Sequence, residues 1–240
     1  MTRDYFGEDV AEHYDETSAD MFDPAVLEPA VDFLAGLVGD GAALEFGIGT
    51  GRIALPLVQR GVRVRGIDLS EAMVARLRAK PGGEEIPVTI GDFATTKIDA
   101  TFSLAYLVWN TINNLTTQDA QVACFENAAA HLDPGGRFVI EVGVPKLRRL
   151  PPGQTYVPFD VSPTHLGFDE YDVLNQGLIS HHYYPAAGRQ VSMPFRYVWP
   201  AELDLMARLA GMSPRERWGG WKREPFTAES TKHVSVWQKP

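Results

Sequence analysis

The sequence predicts an α/β protein with a Rossmann-like, doubly wound, mostly parallel seven-stranded sheet and an antiparallel β insertion after the fifth strand. Three observations predict it. Short apolar runs alternate with helix-period segments through most of the first 142 residues, the pattern of a parallel sheet covered on both faces. The first apolar run ends in Glu45 and enters the turn Phe46-Gly47-Ile48-Gly49-Thr50-Gly51-Arg52. Residues 145–200 then break the alternation, first with prolines and afterwards with period-two patterning.

The elements follow in order. A helix begins near Asp23-Pro24, or again at Glu28-Pro29, and runs to about Val38 with Val31, Leu34, Leu37 and Val38 inward. The strand ending at Phe46 leads through the glycines to a helix over 53–59, stopped by Gly61. A second strand, 62–68, ends in Asp68, and Ser70 caps a helix reaching about Lys80. A third, 88–93, carries Asp92 and Phe93 at its end. The fourth, 102–108, is apolar enough to be buried on both faces. Thr116 and Asp119 suggest a capping box for a helix to His131, with Val122, Phe125, Ala129 and Leu132 inward. Asp133-Pro134-Gly135-Gly136 stops that helix and starts a fifth strand, 137–142. A helix over 201–210 and strands near 213–218 and 233–237 complete the sheet.

Within the insertion, 145–163 reads as irregular. Residues 190–199 alternate, with Val191, Met193, Phe195, Tyr197 and Trp199 on one face. Residues 178–184 pair with them, and 168–173 add a third strand. Pro194 cannot donate to a ladder and marks an edge. The insertion leaves the carboxyl ends of the parallel strands, where open α/β sheets bind ligands. It therefore roofs an acceptor pocket or forms a dimer surface.

The glycine turn indicates a nucleotide-like ligand, because only glycine turns so tightly and leaves room for a molecule against the backbone. The spacing is G-x-G-x-G, with Arg52 where a dinucleotide fingerprint has its third glycine. Glu45 would repel a pyrophosphate and suits a ligand bearing ammonium or sulfonium. Asp68 stands about twenty residues past the turn, where a carboxylate can accept from ribose hydroxyls. Asp92 can accept from an adenine amino group while Phe93 packs on the base.

In these residues the chain resembles the class I S-adenosylmethionine-dependent methyltransferases, small-molecule branch. The likeness spans about residues 31–237 and is closest over 43–142. It implies S-adenosyl-L-methionine as cofactor, released as S-adenosyl-L-homocysteine, and methyl transfer by in-line displacement to an O or N atom of a small molecule. It assigns Glu45, Gly47, Gly49, Gly51 and Arg52 to the methionine end, Asp68 to the ribose, and Asp92 and Phe93 to the adenine, with Leu69, Met73, Leu107 and Asn110 nearby. Residues 11–15 resemble a Tyr-Asp lid, placing Tyr14 over the cofactor; a helix docking its aromatic residues on the core is the alternative. The domain plan is a single unit: lid 1–22, core 23–144, insertion 145–200 and core again 201–240.

A hydroxyl acceptor would need a general base, and Glu141, His165 and His181, with His182 beside it, are the candidates. An amine that binds neutral needs none. The six histidines show no metal-ligand spacing, and one cysteine, Cys124, excludes an internal disulfide. The net charge of −9 disfavours nucleic-acid or anionic-membrane partners. A charged N-terminus and the lack of a long apolar stretch lead us to expect a cytoplasmic protein, with a homodimer among the expected assemblies. Two other functions fit the sequence: a catalytically silent S-adenosylmethionine-binding protein and a nicotinamide-dependent oxidoreductase.

Overall fold

The computed structural model describes residues 4–240. Helix α1 (Glu8–Thr17) and a short turn lead to α2 (Pro24–Val38). Helix α2 starts at the first of the two expected sites, where Asp23 accepts from the Ala25 amide and Pro24 occupies the first turn. Strands β1 (Ala42–Phe46), β2 (Arg63–Asp68), β3 (Val88–Ile90), β4 (Phe102–Leu107) and β5 (Leu132–Gly143) alternate with α3 (Ala54–Gln59), α4 (Glu71–Arg78) and α5 (Gln118–His131). After the insertion come α6 (Pro200–Leu209), β10 (Ser213–Trp218) and β11 (Lys232–Gln238).

The seven strands lie in the order β10-β11-β5-β4-β1-β2-β3. Strands β1 to β5 pair in parallel, and β11 runs antiparallel to both β5 and β10. The chain reverses direction across the sheet between β1 and β4, so the carboxyl ends of both open on one crevice. Side chains alternate across the sheet. Leu44, Phe46, Leu107 and Phe138 pack with Phe125, Leu203 and Trp237 on one face. Ala43, Leu104, Tyr106 and Val139 pack with Val31, Leu34 and Leu57 on the other.

Local details differ from expectation. The cap of α5 is Thr117, which accepts from the Ala120 amide, rather than a Thr116–Asp119 box. Its buried face carries Gln121, Cys124, Phe125 and Ala128, whereas Val122 is only partly buried. Strand β5 includes the 133–136 turn, absorbed by a register shift opposite Phe102/Leu104.

The insertion is a separate four-stranded antiparallel sheet: β6 (Tyr156–Val161), β7 (Leu166–Asp172), β8 (Gly177–Tyr184) and β9 (Arg189–Arg196), in that order. Strand β6 lies in the stretch expected to be irregular. Strand β9 is an edge, as Pro194 requires. Trp199 lies beyond β9 as the N-cap of α6, outside the shared face. Val157, Tyr171 and Tyr197 anchor the inner face over Leu147 and Leu150. Arg196 is buried and donates to Gln121 of α5 (2.5 Å) and Glu202 of α6 (2.7 Å), pinning the insertion to the core. Among the described residues no helix is long and apolar enough to cross a membrane.

Gly51 tests the loop's steric demand. Its φ is +81°, and a Cβ there would run into Leu77 of α4 and lie 3.3 Å from Leu55. Gly51→Ala should lower stability by about 1–3 kcal/mol. An unchanged urea midpoint would contradict that packing.

Candidate active site

The crevice is built at the ends of β1 to β4. The Gly47 and Ile48 amides donate to the Ile67 carbonyl (2.8 and 3.2 Å), folding the glycine loop back onto β2. Gly47 and Gly49 take φ of +69° and +54°. A Cβ on Gly47 would meet Thr111 Cγ2 at 2.6 Å. Beside this loop lies a cleft whose empty space, its open mouth included, is about 810 Å³. Gly47, Gly49, Asp68, Leu69, Met73, Asp92, Phe93 and Tyr14 line it, and all eight are expected cofactor residues.

Asp68 organises this end. Its two oxygens accept from the Gly49 amide (2.6 Å) and the Ser70 amide (2.9 Å). A carboxylate offers about four lone-pair directions, so two remain for a ligand's hydroxyls. Burial raises its pKa above the usual range, and the amide bonds from Ser70 and Gly49 work against that rise. Asp92 accepts from the Ala94 amide (2.9 Å), and Phe93 stacks on Phe46 with centroids 5.9 Å apart.

Five expected cofactor residues support the cleft from outside its lining. Glu45 is buried beneath the loop, where it accepts from the Tyr106 hydroxyl (2.9 Å) and from the Ala54 amide at the start of α3. It therefore caps that helix. Gly51 packs under α4. Arg52 lies over the Trp109 ring, 5.6 Å from its centroid, and reaches the Met21 carbonyl at 3.5 Å. Leu107 is wholly buried in the core. Asn110 follows Trp109 in a left-handed turn, and its side chain accepts from the Gly143 amide (2.6 Å).

The three residues expected as general bases are not brought to the cleft lining. Glu141 is held by Lys232 (3.2 Å) and the Trp109 amide (3.2 Å). His165 is bonded through Nδ1 to Asp160 (2.7 Å) and through Nε2 to His182 (3.0 Å), and it stacks on Tyr184. His182 uses its second nitrogen on Ser180 (3.2 Å), and burial pushes its pKa down to about 4. His181 bonds Ser192 and Glu170. It shares a row with Phe168 and Ser192, on the sheet face opposite to that of His182. As Glu141, these imidazoles are committed to structural bonds.

The remaining walls come from elements that no local motif marks. Thr111, Asn114 and Leu115 follow β4, and Met193, Pro194 and Phe195 belong to edge strand β9. Period-two reading grouped Met193 with Phe195 without showing what they face. Asp4, Tyr5 and Phe6 close the other side. The Phe6 carbonyl accepts from Ser70 Oγ (2.6 Å), and Asp15 of α1 binds Thr50 Oγ1 (2.7 Å) and Lys80 Nζ (2.5 Å). Tyr14 packs edge-on to Phe6, and burial raises its pKa, so the phenol keeps its proton at neutral pH.

Comparison with known proteins decides what such a cleft serves. Residues 43–136 match the family model described as a methyltransferase domain. The chain is 36% identical to the CcbJ methyltransferase of Streptomyces caelestis, covering 98% of both chains with a TM-score of 0.87. The chain belongs to the S-adenosylmethionine-dependent methyltransferases. It is also similar to the cypemycin N-terminal methyltransferase of a Streptomyces species, 26% identical over 94% of this chain and 97% of that one. The solved structure of CalS10 from Micromonospora echinaspora, S-adenosylmethionine-bound and 21% identical, shares the fold (TM-score 0.70, covering 95% and 97%).

This methyltransferase is therefore an enzyme that uses S-adenosylmethionine, and a nicotinamide oxidoreductase is excluded. The residues fit the cofactor. Gly47 and Gly49 both line the cleft, so the loop presents bare backbone to a ligand. The cleft lining also carries the carboxylates of Asp68 and Asp92, groups of the kind that accept from hydroxyls and an amino group.

Burial raises the Glu45 pKa from 4.5 to about 8. Between those values the folded chain holds a proton that the unfolded chain releases, so this group's stabilisation is full below about pH 4.5 and fades as pH rises toward 8. Glu45→Gln should flatten that fall. Equal slopes of melting temperature against pH for the two proteins would contradict the assignment.

Proposed function

We propose that this methyltransferase transfers a methyl group to the nitrogen of a small-molecule amine. The observation that supports nitrogen most is the commitment of Glu141, His165, His181 and His182 to structural bonds away from the cleft lining. A hydroxyl acceptor asks for a base of tuned pKa, typically worth ~10²–10⁴-fold. A neutral amine brings its own lone pair. The similarity to a methyltransferase named for an N-terminal amine points the same way.

When bound, S-adenosylmethionine supplies an electrophilic methyl carbon on a sulfonium. The chain's residues do the rest. Gly47 and Gly49 let the backbone approach the methionine portion, with Arg52 beside the loop and Glu45 buried beneath it. Asp68 holds the ribose hydroxyls while Asp92 and Phe93 hold the adenine. Thr111, Asn114 and Leu115 after β4, with Met193 and Phe195 of the insertion, line the rest of the cleft, so they form the acceptor's walls. The apolar members exclude water from a reaction in which charge disperses, and alignment of acceptor and methyl can supply several kcal/mol, up to about 7–11. Residues 4–22 act as a lid, latched by Asp15 on Thr50 and Lys80 and by Phe6 on Ser70. The lid separates a closed, dry cleft from an open one that exchanges cofactor.

Two measurements test this reading. Asp68→Ala should weaken S-adenosylhomocysteine binding by about 1.5–3 kcal/mol in calorimetry, because ribose hydroxyls lose their acceptor. Unchanged affinity would remove Asp68 from the site. With methyl-labelled S-adenosylmethionine and a panel of small amines and alcohols, label should appear on an amine. The kcat/KM should rise with pH until the acceptor's own pKa is passed. Label on a hydroxyl, with transfer lost in His165→Gln, would contradict nitrogen transfer.

A further inference from the structure

The insertion sheet carries apolar side chains on both faces. Its inner face carries Val157, Tyr171, Met193 and Phe195 toward the core and the cleft. An outer face with no partner should be largely polar. Cross-strand pairing instead sets Tyr156, Leu166, Phe168, Ile179 and Tyr183 together on that side, with Val161 at its rim. Val161 is 77% exposed, Tyr156 53% and Leu166 41%. Rings run across the strands in sequence: Tyr156 meets Phe168 at 5.7 Å, and Phe168 meets His181 at 4.9 Å and Tyr183 at 5.8 Å. A shallow apolar hollow between Pro158, Leu166 and Tyr183 opens at one end.

We propose that this outer face is the interface of a homodimer, two copies of the chain packing insertion sheet on insertion sheet about a twofold axis. Charge favours a second copy as the occupant. The chain carries a net −9, so two copies repel wherever their acids meet. On this face the carboxylates are Glu170, already bonded to the Tyr156 hydroxyl (3.2 Å) and to His181 Nε2 (3.2 Å), and Asp172 at the end of β7, which accepts from the Leu174 amide (3.0 Å) and the Asn175 side chain (2.7 Å). Arg196 shares the row but is turned away to Gln121 and Glu202. The face therefore brings aromatic and aliphatic groups to its twin without unpaired like charges, the composition found at interface centres. Self-complementarity is what a twofold contact requires.

Size sets the strength. Four strands ~4.8 Å apart and six to eight residues long at ~3.4 Å each give a face of roughly 19 by 25 Å. Two such faces bury on the order of 1,000 Å², the lower bound for a specific interface. The dimer is accordingly a micromolar one. It backs the strand that carries Met193 and Phe195, so it stiffens the acceptor wall.

Sedimentation of the full chain from about 1 to about 200 μM tests this. A monomer–dimer equilibrium with a midpoint in the micromolar range is expected, with Val161→Glu and Leu166→Glu each shifting it at least tenfold toward monomer. Both positions are exposed, so circular dichroism should be unchanged. Ile179→Lys serves as a third probe should either variant fold poorly. A chain that stays monomeric throughout, or a dimer indifferent to these charges, would overturn the proposal. S-adenosylhomocysteine binding, measured alongside, keeps a failed interface distinct from a failed active site.

Discussion

One carboxylate fixes the geometry on which the rest depends. Asp68 ends β2 and bonds at once to the glycine loop through Gly49 and to the cap of α4 through Ser70. Two backbone turns are thereby held at a fixed separation, and the space between them is the proposed cofactor site. Ser70 in turn caps α4 through Met73 and donates to the Phe6 carbonyl of the N-terminal segment. Loop, helix and N-terminal segment thus converge within a few ångströms of a single acid. Beneath them, Glu45 does for α3 what Ser70 does for α4, accepting from its first amide while Tyr106 holds the other side.

The molecule divides its labour between two sheets. The seven-stranded sheet supplies the proposed cofactor site from strand ends, where carboxylates and backbone amides line one crevice. The four-stranded sheet supplies no carboxylate to that crevice, only Met193, Pro194 and Phe195 from its edge. The acceptor's surroundings can therefore vary through the insertion while the cofactor's remain. The buried bonds from Arg196 to Gln121 and Glu202 hold the two sheets in register.

What the sequence disclosed follows from how local each signal is. The acid-ended strands and the glycine turn are readable because a few consecutive residues force their conformation. The β meander was readable from Pro194 and from period-two patterning. That same period made its faces equivalent in the sequence, so the outward row of Leu166, Phe168 and Tyr183 and the cleft-facing Met193 and Phe195 could be told apart only in three dimensions. Glu141 looked free because its partner Lys232 lies 91 positions away. His165 and His182 looked available because their bond to each other spans 17 positions. Partnerships over long separations are what a linear reading lacks.

The most direct test is amide hydrogen exchange across the 46–52 loop, compared between the wild-type chain and Asp68→Asn, with and without S-adenosylhomocysteine. The account predicts slow exchange at Gly49 in the wild-type chain before ligand is added, fast exchange in the variant, and little change in β4 and β5. Equal protection of Gly49 in both proteins would show that the loop keeps its shape without the Asp68 carboxylate, and the account would fail at its base.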